Sequence, residues 1–229
     1  MRIAHLPDFR YSILPGPRPT PQAPGPKPKW FCHNRAVLTI ESFRSALGGF
    51  VPRLLADEDG QTRAAVAAVL RHGENGAELL FIHRAEDPDD PWSGHMAFPG
   101  GRVDPEDVGP LAAALRETRE EVGLDLETVG EEIGRLSDVP AIGRGRPVGM
   151  VITPFVFALE GSPGLVPNYE VAEVVWVPVD FIADHSNRET MPYRRAGLSF
   201  ELPCYHYQDH LIWGLTLGMV DELLSLVSR

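Results

Sequence analysis

Apolar and polar positions along the chain change period from segment to segment, and each change marks an element. Thr62–Arg71 (TRAAVAAVLR) and Ala77–Arg84 (AELLFIHR) are apolar runs of strand length. His72-Gly-Glu-Asn-Gly76 between them is turn chemistry, so the pair reads as a hairpin. Met96–Phe98 is a short apolar piece leading into Pro99-Gly100-Gly101, which ends a strand and opens a loop. Leu111–Val122 then takes a helical period, with Leu111, Leu115, Thr118 and Val122 forming one inward stripe and Gly123 a stop signal. Gly149–Leu159 is a long apolar strand interrupted at Pro154, and Ala172–Val177 is another strand. Leu198–Leu202 closes a late hairpin, Ile212–Val227 reads as an amphipathic C-terminal helix, and Glu41–Leu47 as a short early one. Strands interspersed with a few helices predict an α/β or α+β domain with a mixed sheet.

The pattern fails before residue 30. Of the sixteen residues from Leu14 to Lys29, seven are proline. Proline has no backbone donor and disfavours helix in the residue before it, so residues 1–29 are expected to form an extended or disordered arm. Such an arm suits a spacer, an edge cover or a polyproline ligand. The globular domain is expected over residues 30–229.

Composition narrows the function. The formal net charge of -11 argues against a nucleic-acid polymer as partner, since phosphate neutralisation calls for a basic surface. A small anionic substrate stays open, because a divalent cation reverses the charge of a site locally. Cys32 and Cys204 stand far apart and outside any CxxC pattern, which speaks against a zinc site or a disulfide framework and for a reducing, cytoplasmic setting. There is no secretory-type start and no run of 18 or more apolar residues, so no membrane span is expected.

Candidate chemistry centres on Arg116–Glu121, RETREE. On a helix Glu117 is three residues from Glu120 and four from Glu121, so the three carboxylates converge on one side. Like charges so spaced repel by roughly 0.2–0.5 kcal/mol per pair, relieved in part by Arg116 and Arg119, and a solvated ion-paired face would explain them. Three hard oxygen donors also suit Mg²⁺ or Mn²⁺. The preceding Gly100-Gly101 lets main chain approach a ligand closely. Asp107 reads as the N-cap of the helix.

Gly100–Leu124, GGRVDPEDVGPLAAALRETREEVGL, resembles the Nudix box: a glycine, five residues, Glu, seven residues, then Arg-Glu-U-x-Glu-Glu-x-Gly-U with U apolar. Gly101 matches the first glycine, and Arg116-Glu117, Glu120-Glu121 and Gly123-Leu124 match the second half. Thr118 replaces an apolar residue, Asp107 stands for the isolated Glu, and the loop is one residue longer. The altered loop is similar to the GG-x-x-D-P-x-D form of the coenzyme A pyrophosphatase branch. Phe98-Pro-Gly-Gly101 and His210–Thr216 (HLIWGLT) also resemble that branch. Arg84 matches the first arginine of its LLT-x-R-S run, but Ala85 replaces Ser and the loop arginine that follows is absent. Pro140, sixteen residues beyond Leu124, resembles the spacing of ADP-ribose-cleaving members.

The resemblance implies an α/β/α sandwich and a pyrophosphohydrolase acting on a small nucleoside diphosphate derivative. Coenzyme A or a related compound is favoured. ADP-ribose or another nucleoside diphosphate sugar is the alternative, because the extra ribose phosphate of coenzyme A needs a cationic partner. A catalytically silent Nudix-fold binding module is the reading of another class. Glu117, Glu120, Glu121 and the Gly101 carbonyl are implied metal ligands for Mg²⁺ or Mn²⁺. Glu117, Glu120 and Arg116 carry the catalytic roles, Arg116 by orienting Glu117. The general base stays open among Glu117, Glu120, Glu170 and Glu173. Arg84, His95, Glu170 and Glu173 are substrate-binding candidates, and Trp92, Phe98 and Trp213 offer rings for a base. Many members dimerise, which leaves a homodimer open.

Overall fold

The computed structural model describes residues 37–227, apart from 57–59, 88–91, 144–145 and 196. The Pro-rich arm, Trp30 and Cys32 lie outside the described residues. Helix α1 (Ile40–Gly48) opens on a capping box: the Thr39 hydroxyl accepts from the Ser42 N–H, and the Ser42 hydroxyl from the Thr39 N–H. The hairpin joins β1 (Thr62–Gly73) to β2 (Gly76–Arg84), in a register closed by Gly73 opposite Gly76. The turn is thus tighter than His72–Gly76. Then follow β3 (Met96–Ala97), β4 (Gly100–Arg102), α2 (Pro110–Val122), α3 (Leu126–Val129), β5 (Gly130–Arg135), β6 (Val139–Gly143), β7 (Arg146–Leu159) and β8 (Val171–Pro178). The chain continues with α4 (Val179–Ala183), β9 (Arg188–Arg195), β10 (Leu198–Tyr207), β11 (His210–Trp213) and α5 (Gly214–Val227).

Eight strands form a mixed sheet along the path β3-β2-β1-β7-β5, with β4 on β1, β6 on β7 and β8 on β2. Only β1 and β7 run parallel; the other pairs of this sheet are antiparallel. Side chains alternate across a strand, so β1 and β2 feed two cores at once. Ala68, Leu70, Leu79 and Phe81 join α1 (Ile40, Phe43) and α5 (Leu217, Val220, Leu223) on one face. Ala67, Val69, Leu80 and Ile82 join α2 (Ala113, Ala114, Val122) and α3 (Leu126) on the other. This is the expected sandwich of helices around a mixed sheet. A separate antiparallel sheet, β11-β10-β9, extends the late hairpin.

Four expectations change. Gly100-Gly101 lies within β4, paired to Ala65 and Val66 of β1, and does not follow a strand end. A Cβ on Gly100 would come within 2.2 Å of the Ala65 carbonyl oxygen, an approach open only to glycine. Strand β7 runs unbroken through Pro154. On the side away from β1, its partners pass from β6 at Ile152 to β5 at Phe155, so the missing proline donor falls where no ladder partner stands. The C-terminal helix starts at Gly214, two residues after Ile212, because Ile212 and Trp213 pair with Tyr205 and Cys204 in β11. On α2 the buried face is Ala113, Ala114, Thr118, Glu121 and Val122, with Leu111 and Leu115 half-buried, so the stripe is rotated toward the glutamates.

A buried carboxylate ties distant segments together. Asp138 accepts from Leu55 N–H (2.9 Å), Thr153 Oγ1 (2.9 Å), Arg63 Nη1 (3.3 Å) and Arg135 Nη2 (2.5 Å). Next to it, Ser137 N–H donates to Glu222 of α5 at 2.8 Å. Among the described residues no helix is long and apolar enough to cross a membrane.

Candidate active site

Helix α2 starts at Gly109 with φ 118° and Pro110 at its first position, and ends at Gly123 in the left-handed region with φ 69°. Gly109 occupies the N-cap, without a side-chain cap, so Asp107 is not the cap. Asp107 instead takes two bonds from Arg116, Nε to Oδ1 at 3.1 Å and Nη2 to Oδ2 at 2.9 Å. Those bonds hold its carboxyl below the usual range, against the cost of burial. The longer loop and the shorter acid thus still meet the arginine. Arg116 also donates to Glu117 Oε1 (2.9 Å), Glu120 Oε2 (3.2 Å) and the Arg102 carbonyl (3.0 Å). Its planar fork fixes two carboxylates of the helix and the strand before it.

Glu121 is buried, 2% exposed, beneath β4. Its Oε2 accepts the Gly100 N–H at 2.8 Å, and Arg84 Nη1 stands 3.7 Å from Oε1. Burial pushes its carboxyl up to about 7; the Gly100 bond and Arg84 oppose the rise, while Glu117 and Glu170 add to it. Glu117 is raised too, by burial first, with Glu120 and Glu170 adding repulsion and Arg116 opposing. A Cβ on Gly101 would overlap the Glu117 carboxylate, so a side chain there would push that carboxylate aside.

These groups line one end of a cavity of about 670 Å³. Arg84, His95, Gly101, Glu117, Glu121 and Glu170 all face it. Glu120, 54% exposed and held by Arg116, does not line it. Neither does Glu173, which is bound to His210 Nε2 at 3.3 Å. Pro140 sits exposed on β6, also away from the lining. The rest of the lining is largely apolar, with Met150, Ile152, Leu215 and Met219 beside Trp92 and Trp213. Trp92 Nε1 donates to the Ile142 carbonyl at 3.3 Å, and His95 packs on Trp213 at 4.9 Å between ring centroids. Phe98 also lines the cavity, though its ring is buried against Phe81 at 5.2 Å. The residues from β7 and α5 escape sequence reasoning, because an apolar side chain in a strand or helix carries no mark of the cavity it faces. Asp87 joins the lining from the loop after β2.

Among the described residues no three His, Cys, Asp or Glu side chains are gathered as a ready coordination shell. The donor chemistry still fits a hard divalent cation. Two carboxylates with raised affinity for protons, Glu117 and Glu121, meet bare glycine backbone at the cavity edge, and Glu170 repels both. A cation there would relieve the burial and the repulsion together.

Known proteins share this architecture and sequence. The NUDIX domain profile matches residues 61–196. An uncharacterised Nudix hydrolase, NudL, of Photorhabdus laumondii is 35% identical over 136 residues, covering 59% of this chain and 70% of that one. Its namesake in Enterobacter sp. strain 638 is 31% identical over 194 residues, covering 81% of this chain and 93% of its own length. The fold is also that of a MutT/nudix family protein from Enterococcus faecalis, with a TM-score of 0.50 at 18% identity, over 83% of this chain and 70% of that chain. With the domain profile, the relatives and the fold in agreement, the chain belongs to the Nudix hydrolase family.

Proposed function

We propose that the protein hydrolyses the diphosphate linkage of a nucleoside diphosphate derivative, with Mg²⁺ or Mn²⁺, and that coenzyme A or a related compound is its favoured substrate. The observation that carries this is Glu121: a carboxyl 2% exposed, pushed up to about 7 by burial, at the edge of a cavity shared with Glu117 and Glu170. Such a group, once ionised, lowers stability unless a cation joins it. Glu117, Glu121 and the Gly101 carbonyl are the residues that would hold the ion, with Glu120 joining them on release from Arg116. Bound there, a divalent cation would neutralise diphosphate oxygens and lower the pKa of a water.

The chain's own residues supply the rest. Arg84 and His95 contact the diphosphate oxygens. Arg116 keeps Glu117 and Glu120 in place through its bonds to both. Glu170 takes the proton of the attacking water, because it lines the cavity while Glu173 is engaged by His210. The apolar part of the lining suits a long, weakly polar arm such as the pantetheine side of coenzyme A. The loop form GG-x-x-D-P-x-D and the segment His210–Thr216 support the same substrate.

A panel of coenzyme A, ADP-ribose and NADH with either metal tests the reading, with products separated by chromatography. Phosphopantetheine release from coenzyme A is expected. Faster cleavage of ADP-ribose would move the assignment to nucleoside diphosphate sugars. Binding of the panel without turnover would favour the silent binding module.

A further inference from the structure

The strand-to-strand connection between β7 and β8, residues 160–170, is laid along the end of the glutamate helix. Two main-chain bonds fasten it there, and a third ties its far end to the segment after β2. Val166 N–H donates to the Val122 carbonyl at 2.8 Å, Asn168 N–H to the Glu121 carbonyl at 2.9 Å, and Ala85 N–H to the Glu170 carbonyl at 2.8 Å. The first two satisfy carbonyls in the last turn of α2 that have no partner within the helix. Gly123 makes the fit close, since a Cβ there would lie 3.2 Å from Val166 Cβ. Between these anchors the Asn168 side chain is turned inward along its own loop. Its Oδ1 accepts the Glu170 N–H at 2.8 Å, and its carbonyl accepts the Val171 N–H at 3.3 Å.

Asn168 thus touches both parts of the site. Its backbone grips the very residue, Glu121, that carries the buried carboxyl. Its side chain fixes the backbone of Glu170, whose carboxylate raises the proton affinity of Glu117 and Glu121 and lines the same cavity. We infer that Asn168 is a positioning residue, which couples the glutamate helix to the Glu170 carboxylate through one side-chain and one main-chain hydrogen bond. This rests on the proposed role of Glu170. A backbone amide held by one acceptor has its φ restricted, and the carboxylate that follows inherits that restriction. Misplacement by a fraction of an ångström is enough to weaken proton transfer.

A double-mutant cycle on coenzyme A hydrolysis with Mn²⁺ tests it. Glu170→Gln is expected to lower kcat by about 100-fold or more, as removal of a general base does. Asn168→Ala is expected to lower kcat by about 10-fold with KM within about twofold, the range for a group that orients a ligand or base. Asn168→Asp keeps the Oδ1 acceptor and is expected to recover most of that loss. In the Glu170→Gln background Asn168→Ala is expected to change kcat by less than about twofold, because the two act as one unit. A thermal melt of each variant reports folding separately, and Asn168→Leu, which also lacks an acceptor, replaces Ala should the latter fail to fold. Equal losses from Asn168→Ala in both backgrounds would overturn the inference while leaving Glu170 its role. Unchanged kcat in Glu170→Gln alone would overturn the role of Glu170, and Asn168 with it.

Discussion

Glu121 draws together the electrostatics of the site, and its protonation carries a stability consequence. Its folded-state carboxyl is raised from 4.5 to about 7. A raised acid stabilises the folded state fully below its unfolded value and loses that contribution as pH rises through the folded one. The metal-free protein should therefore lose stability between pH 4.5 and about 7, by on the order of 3 kcal/mol from this group. Urea unfolding across that window checks it, and Glu121→Gln is expected to flatten the slope. Excess Mn²⁺ should restore stability at pH 7.5 in the natural sequence but not in the variant. At this scale the sequence was informative where spacing is enforced by a helix: Glu117, Glu121 and Gly101 do meet at one edge of the cavity. It did not separate Glu120 from them, because which carboxylates face the cavity depends on the rotation of the helix, which leaves Glu120 exposed and off the lining. Nor could it choose between Glu170 and Glu173, since that choice depends on His210, a partner nearly forty residues further along.

Two elements make the site rigid, the strand β4 and the helix α2, and both can be tested by changing backbone room or a fork of donors. Gly100→Ala would place a methyl 2.2 Å from the Ala65 carbonyl oxygen, so β4 must shift from β1. Lower thermal stability and loss of activity are expected together. Arg116→Lys keeps the charge but loses the two-pronged grip on Asp107. Its kcat is expected to fall by roughly 10–100-fold with little change in melting temperature, as for other groups that orient a ligand. The helix was legible from its period and its glycine stop. Its rotation was not, because Ala113 and Ala114 pack against the sheet as well as any leucine and leave no periodic mark. Asp107 looked like a cap from position alone, whereas the arginine nine residues on competes for it more strongly than the helix end.

At the scale of the whole molecule, Asp138 binds segments that are far apart in sequence: the stretch before β1, β1 itself, the end of β5, and β7. Burial alone would raise its carboxyl, but the Leu55 and Thr153 bonds and the two arginines win, and it is held below the usual carboxylate range. Its stabilisation is present above the unfolded-state value and lost as pH falls through the lower folded-state one. Asp138→Asn leaves Arg63 and Arg135 facing a neutral amide, and is expected to cost about 3 kcal/mol in urea unfolding while kcat of the folded fraction holds. None of this junction was visible in the sequence, where Asp138 is one acid among many. The late sheet was half visible: β10 was read in part, whereas β9 is rich in charge and carries Pro192, and β11 has only four residues.

The most direct test is titration of the metal-free protein with Mn²⁺, followed by electron paramagnetic resonance, for the natural sequence, Glu121→Gln and Glu173→Gln. Binding should be lost in Glu121→Gln and kept in Glu173→Gln, whose carboxylate lies outside the cavity lining. Equal binding by all three proteins would contradict a metal site built on the glutamate helix.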